Sequence, residues 1–158
     1  MKVAEVMTQD VQSCTPETNL AAAAIQMWNG DCGVLPVVDN DSRVIGIITD
    51  RDICIAAATN HQDIAGIKVG EVTTGEVQSC APEMNVRDAL KIFEHARVRR
   101  LPVLDKNNKL QGILSMNDIV LRTVGGRDQK SGDVSYAEVV NTFKAICTPH
   151  TKAAAVGA

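Results

Sequence analysis

Several things are missing from this 158-residue chain, and each absence removes a class of function. There is no basic excess: the formal net charge is −3, and proteins that grip a phosphate backbone carry a surplus of Lys and Arg. There is no long apolar run. Stretches such as AAAAI and VIGII are far too short to span a bilayer, and the opening MKVAEVMTQD has no apolar signal-peptide core. There is no G-x-S-x-G, no P-loop and no HExxH, and His61, His95 and His150 are scattered, so catalysis is not expected. No CxxC pair occurs, and the cysteines are odd in number: Cys14, Cys32, Cys54, Cys80 and Cys147. They are expected to be small buried hydrophobes in a reducing cytosol, with neither a metal site nor a disulfide framework. What is left is a soluble, cytoplasmic protein with no nucleic-acid or membrane partner. Its 45% apolar content suffices for one ordinary core or two small ones.

What is present is a repetition. VQSCTPE (residues 11–17) returns as VQSCAPE (residues 77–83), an offset of 66. The offset holds without a gap from Val3 to Ile53. It aligns Leu35-Pro36-Val37 with Leu101-Pro102-Val103, Asp39 with Asp105, Gly46-Ile47 with Gly112-Ile113, Thr49 with Ser115, and Asp52 with Asp118. A period this long means two supersecondary units in tandem.

Each unit reads as strand, helix, strand, strand, helix. The stretch after VQSC turns at a proline and enters a helix, in which Val86, Ala89, Leu90 and Phe93 of the second copy form one apolar stripe. Asn85 is a cap for its start, and Gly30 stands where the first copy's helix should end. LPVVD and LPVLD read as short buried strands, followed by polar turns, the strands VIGII and LQGIL, and a last helix opening at Thr49 or Ser115. Units of roughly 50 residues are too small for independent cores, so the two should pack together. Past Gly125 the repeat stops. GGRDQKSGDV reads as a flexible link, SYAEVVNTFKAIC as a helix with Tyr136, Val139, Val140, Phe143 and Ile146 on one face, and TKAAAVGA as a disordered tail. Ser135 and Glu138 have capping-box spacing. The helix either folds back on its own module or is shared with a partner chain.

EVMT, VLPVVDNDSRVIGIITDRDI and VRRLPVLDKNNKLQGILSMNDI together carry a family resemblance. The chain resembles a tandem pair of CBS domains, a Bateman module, over about Met1 to Gly125. The resemblance implies an α+β fold of two β-α-β-β-α units packed as a pseudo-two-fold pair. The units are expected at 1–60 and 67–125, with 126–158 holding the link, the last helix and the tail.

The spacing Thr49-x-x-Asp52, repeated as Ser115-x-x-Asp118, has two readings. It approximates a capping box. The same geometry also sets a hydroxyl and a helix N-terminus near a phosphate, and a carboxylate that accepts the two hydroxyls of a ribose. The resemblance implies ribose-binding roles for Asp52 and Asp118, and ribose or phosphate roles for Thr49 and Ser115 with Arg51 and Asn117 beside them. It also implies an adenine slot lined, partly through backbone, by Ser13, Cys14, Thr15, Val34, Leu35, Pro36 and Ile47 in copy one, and by Ser79, Cys80, Ala81, Leu101, Pro102 and Ile113 in copy two. Packing in the core is the other reading of Cys14 and Cys80. Copy two has Arg97, Arg99 and Arg100 where copy one has Asp31, Gly33 and Val34. Arginines there are either a solvated face or a phosphate fork. Family members place an arginine just before LPV on the nucleotide phosphate, which makes equal occupancy of the two clefts doubtful.

The expected protein is a regulatory, energy-sensing module and not an enzyme. It has no obligatory cofactor, takes AMP, ADP or ATP as a regulatory ligand, and forms a homodimer that acts on an unidentified target enzyme. The alternatives are a ligand-free dimerisation or interaction module, or a module for S-adenosylmethionine or NAD(H).

Overall fold

The computed structural model describes residues 1–73, 76–123 and 133–149. The tail expected to be disordered, and all of the expected link except Asp133 and Val134, lie outside those residues.

Copy one runs α1 (Leu20–Asn29), β1 (Val34–Val38), β2 (Val44–Thr49) and α2 (Asp50–Thr59). A short α3 (Val69–Val72) leads into copy two, which runs α4 (Val86–Ala96), β3 (Arg100–Leu104), β4 (Leu110–Ser115) and α5 (Met116–Val120). The last helix is α6 (Tyr136–Cys147). Asn19 and Asn85 cap α1 and α4, accepting from Ala22 N and Arg87 N. β1 pairs antiparallel with β2, and β3 with β4, in the same register. The two hairpin turns match in detail. Ser42 and Asn108 take positive φ of 62° and 61°. The carboxylates of Asp39 and Asp105 accept backbone N–H bonds from the turn residues that follow them. These bonds hold the Asp105 carboxyl below its ordinary range. The aspartate of each LPVhD segment is thus a turn former.

The first strand of each unit is reduced to one parallel bridge, Cys14 to Val37 and Cys80 to Val103. Cys14 N donates to Pro36 O at 3.0 Å and Cys14 O accepts from Val38 N at 2.9 Å, with the same pair at Cys80. The repeated phrase VQSC therefore stitches each unit's lead-in to its first full strand.

The copies exchange their leading segments. Val3 and Val6 lie in copy two's core with Val86, Phe93, Leu101 and Ile119. Ile67 and Val69 lie in copy one's core with Leu20, Leu35 and Ile48. Backbone bonds follow the same exchange: Val3 N to Met84 O and Val86 N to Met1 O, against Val69 N to Thr18 O and Leu20 N to Ile67 O. Each unit's core is completed by chain that precedes the other, which makes the pair one folding unit.

Two expectations need correction. Cys14 and Cys80 are buried, but Cys32 is half-buried and Cys54 and Cys147 are exposed, on the outer side of α2 and at the end of α6. The α6 stripe is also rotated. Val139 is buried and Phe143 and Ile146 pack inward, while Tyr136 and Val140 face solvent. Thr142 is buried in their place because its hydroxyl donates to Glu94 Oε1 at 2.6 Å. Helix α6 lies on α4 of its own chain, held further by Arg87, which donates to Glu138 Oε1 and to Asp133 O, both at 2.7 Å.

Candidate functional site

Both hydroxyl–carboxylate pairs are formed as capping boxes at helix starts. Thr49 N and Oγ1 donate to Asp52 Oδ2 at 2.9 and 2.7 Å, and Asp52 N donates back to Thr49 Oγ1. Ser115 N and Oγ donate to Asp118 Oδ2 at 2.8 and 2.6 Å, with the same return bond. One carboxylate oxygen of each aspartate is thus spent locally and the other is left for a second role. In copy two that free oxygen, Asp118 Oδ1, accepts from Thr8 Oγ1 at 3.4 Å, across the boundary between copies.

Thr8 is held by a two-bond antiparallel bridge to Ile113, both bonds 2.9 Å. Gly112 makes that approach possible, since a Cβ there would stand 2.5 Å from the Thr8 carbonyl oxygen. The bridge closes one wall of a cleft of about 470 Å³. From copy two come Arg100, Ile113, Ser115, Asn117 and Asp118, and from copy one and its lead-in come Thr8, Asp10, Val11, Gln12, Asp31 and Val34. The volume suits a nucleoside-sized ligand. Apolar Val34 and Ile113 are set among polar groups, and Arg100 shares the lining with three carboxylates, Asp10, Asp31 and Asp118.

The sequence-predicted residues therefore separate. Arg100, Ile113, Ser115, Asn117, Asp118 and Val34 line one cleft. Ile47, Thr49, Arg51 and Asp52 stand apart from it, on the side whose lead-in residues, Thr74 and Gly75, lie outside the described residues. Arg99 is exposed, its carbonyl accepting from Met116 N. Arg97 caps α4 in the left-handed region, φ 52°, and reaches Thr148 O at the end of α6. Strand alternation explains why Arg100, the first residue of β3, takes a direction that Arg99 does not. The side chains of Cys14, Leu35, Cys80 and Leu101 lie in the two cores, and Pro36 and Pro102 are buried. Burial pushes the Cys14 thiol up to about 11 and the Cys80 thiol up to about 12, so both stay protonated and unreactive. Ser13 and Ser79 are half-buried, and Thr15 and Ala81 exposed.

Sequence reasoning missed Thr8, Asp10, Val11, Gln12 and Asp31 as cleft residues. Thr8 left a signal as the last residue of EVMT, and Val11 and Gln12 as the opening of the repeated VQSC; Asp10 and Asp31 left none. Among the described residues no group of three or more His, Cys, Asp or Glu is placed to hold a metal ion, and no helix is long and apolar enough to cross a membrane.

The family model described as CBS domain matches residues 3–58 and 69–125. CBS domain-containing protein YhcV of Bacillus subtilis is 31% identical over 129 residues, 82% of this chain and 90% of that protein. CBSX2, from Arabidopsis thaliana, solved in complex with AMP, superposes with a TM-score of 0.66 at 26% identity, covering 76% of this chain and 93% of that one. Hypoxic Response Protein I, solved with two coordinated zinc ions, superposes with a TM-score of 0.71 at 28% identity, covering 78% and 100%.

Proposed function

This chain belongs to the CBS domain family as a tandem pair, and we propose that it is a regulatory module binding an adenosine nucleotide in the Asp118 cleft. It works as a homodimer and passes ligand occupancy on to a partner enzyme. One observation carries the reading: copy two's motif residues and copy one's wall meet in a single nucleoside-sized cleft. In it the ribose hydroxyls donate to Asp118 Oδ1, displacing the long bond from Thr8. The adenine lies against Val34 and Ile113. The phosphate lies on Arg100, whose planar fork suits two-point contact.

The charge of the cleft selects among nucleotides. Asp10, Asp31 and Asp118 outnumber Arg100, so each additional phosphate adds repulsion, and AMP is favoured over ADP and ATP. The AMP complex of CBSX2 supports the same choice. Copy one has Val34 where copy two has Arg100, and the Asp52 side is the weaker one.

A second reading, a ligand-free interaction module, is favoured by the exposed Trp28 and Ile25 on α1. Thermal unfolding with adenosine, AMP, ATP, S-adenosylmethionine and NADH decides between them. AMP at 100 times its dissociation constant should add roughly 2.7 kcal/mol. If no adenosine compound at millimolar concentration raises the melting temperature, the interaction reading stands instead.

A further inference from the structure

We propose that Arg122 is a positioning residue of the nucleotide cleft: its bond to the Val6 carbonyl holds copy one's lead-in as a wall of that cleft, so that a ribose can take Asp118 from Thr8 without the wall withdrawing. The inference rests on the Asp118 reading above and adds to it a residue outside the cleft lining.

Helix α5 grips one stretch of the lead-in at two points. Near its start Asp118 Oδ1 accepts from Thr8 Oγ1 at 3.4 Å. One turn later Arg122 Nη1 donates to Val6 O at 2.9 Å. Residues four apart share a helical face, and the bonds from Leu121 N to Asn117 O and from Arg122 N to Ile119 O carry the winding on as far as Arg122. The two grips differ in kind. The Thr8 bond is long and lies where the ribose hydroxyls bind. The Arg122 bond is shorter and charge-assisted. Its acceptor suits it, because Val6 follows the 3-10 turn Val3–Glu5, and carbonyls at the end of such a turn have no partner within it.

What these grips hold is the copy-one wall. Val6 is buried in copy two's core, Thr8 bridges to Ile113, and the chain then supplies Asp10, Val11 and Gln12 to the cleft. Backbone bonds fix this chain at Thr8 and next at Cys14, so the wall is strung between two anchors. An anchor in place before the ligand arrives spares an ordering cost at binding. The ligand loosens one end of the wall when it takes Asp118 from Thr8, and Arg122 keeps that end seated. Copy one has no such hold. At the offset of 66, Ala56 stands in place of Arg122, buried in the middle of α2, and its methyl group donates nothing to Val72, the counterpart of Val6. Both cationic side chains that set the Asp118 cleft apart belong to copy two, and they divide the work: Arg100 faces the ligand and Arg122 faces the chain.

The test is calorimetric titration of the full chain with AMP and with adenosine. Arg122 is exposed, so Arg122→Met opens no cavity and should fold. It should weaken AMP and adenosine alike, by about 3- to 30-fold, since the wall serves the nucleoside half of both. Arg122→Lys keeps a cationic donor and should recover most of the loss. Hydrogen exchange at the Thr8 and Ile113 amides should quicken in Arg122→Met with no ligand present, and slow again in Arg122→Lys. Wild-type affinity of Arg122→Met for both compounds, whatever its melting temperature, would make the bond a support of the fold alone and overturn the inference. A loss confined to AMP would put Arg122 on the phosphate and overturn it equally. Both outcomes leave the Asp118 reading standing as long as Asp118→Ala removes the wild-type affinity. If the wild-type chain binds neither compound, or Asp118→Ala binds both as the wild type does, that reading falls and the inference with it.

Discussion

Copy one and copy two share a backbone down to its unusual points and differ in what hangs from it. The bulges after Val37 and Val103, the positive φ at Asp31 and Arg97 and at Ser42 and Asn108, and the capping boxes at Thr49 and Ser115 all recur at the offset of 66. Even exposed ion pairs recur, Lys2 with Glu83 and Lys68 with Glu17. The differences fall at two surfaces. At the cleft, Arg100 replaces Val34; at the outer face, charged α4 under α6 replaces neutral α1. What repeats builds the fold, and what fails to repeat makes the two halves chemically different at the cleft and on the outer face.

The largest effect should come from the shared scaffold. Phe93, fully buried in copy two, occupies the place of Met27 in copy one. Phe93→Ala should cost about 3–5 kcal/mol and Met27→Ala about 2–5. Because the leading segments are exchanged, each should still unfold in a single urea transition. A variant in which one half melts before the other would separate the copies that the exchange is argued to join.

The next effect separates the clefts. Asp118→Ala should weaken AMP by about 10- to 150-fold, the worth of roughly 1.5–3 kcal/mol for a hydrogen bond to a charged group. Asp52→Ala should leave that tight site unchanged. Equal losses in the two variants, read by titration calorimetry, would make the copies equivalent. Arg100→Ala sharpens the contrast further: it should weaken AMP more than adenosine, while Val34→Ala should change both alike. If the ratio of AMP to adenosine affinity is the same in the wild type and in Arg100→Ala, the arginine is a solvated side chain.

The smallest effect concerns what only copy two has. The Ser135 N–H, then the Arg87 guanidinium, hold the Glu138 carboxyl at about 2, below its ordinary 4.5. A depressed carboxyl contributes its stabilisation above pH 4.5 and loses it as the pH falls towards 2. Hydrogen exchange of residues 136–147 should therefore quicken across that window, ahead of β3 and β4, and Glu138→Gln should show the quickened exchange at neutral pH. Exchange at α6 that is flat from pH 5 to 2 would mean that the Glu138 pair does not hold the helix.

Much of this was legible in the residues. The offset of 66 exposed two units, Asn85, Ser115 and Ser135 announced helix starts, and the T-x-x-D and S-x-x-D spacings marked two carboxylates. What the sequence hid is relational. Nothing local in Val3 or Val69 says that it packs in the other unit, because periodicity reports which side of an element is apolar, not which element it meets. The α6 stripe misled for a similar reason. Thr142 scores as polar until Glu94 is seen to take its hydroxyl proton. The cleft was half legible, since copy two's motif residues were named in advance but Thr8, Asp10 and Asp31 reach it only through the Thr8–Ile113 bridge and a left-handed turn.

The central claim is that two copies with one backbone make one tight nucleotide site. Calorimetric titration of the full chain with AMP tests it most directly. One tight AMP per chain is expected, abolished or greatly weakened in Asp118→Ala and retained in Asp52→Ala. Two equal sites per chain, or a single site that survives in Asp118→Ala, would contradict it.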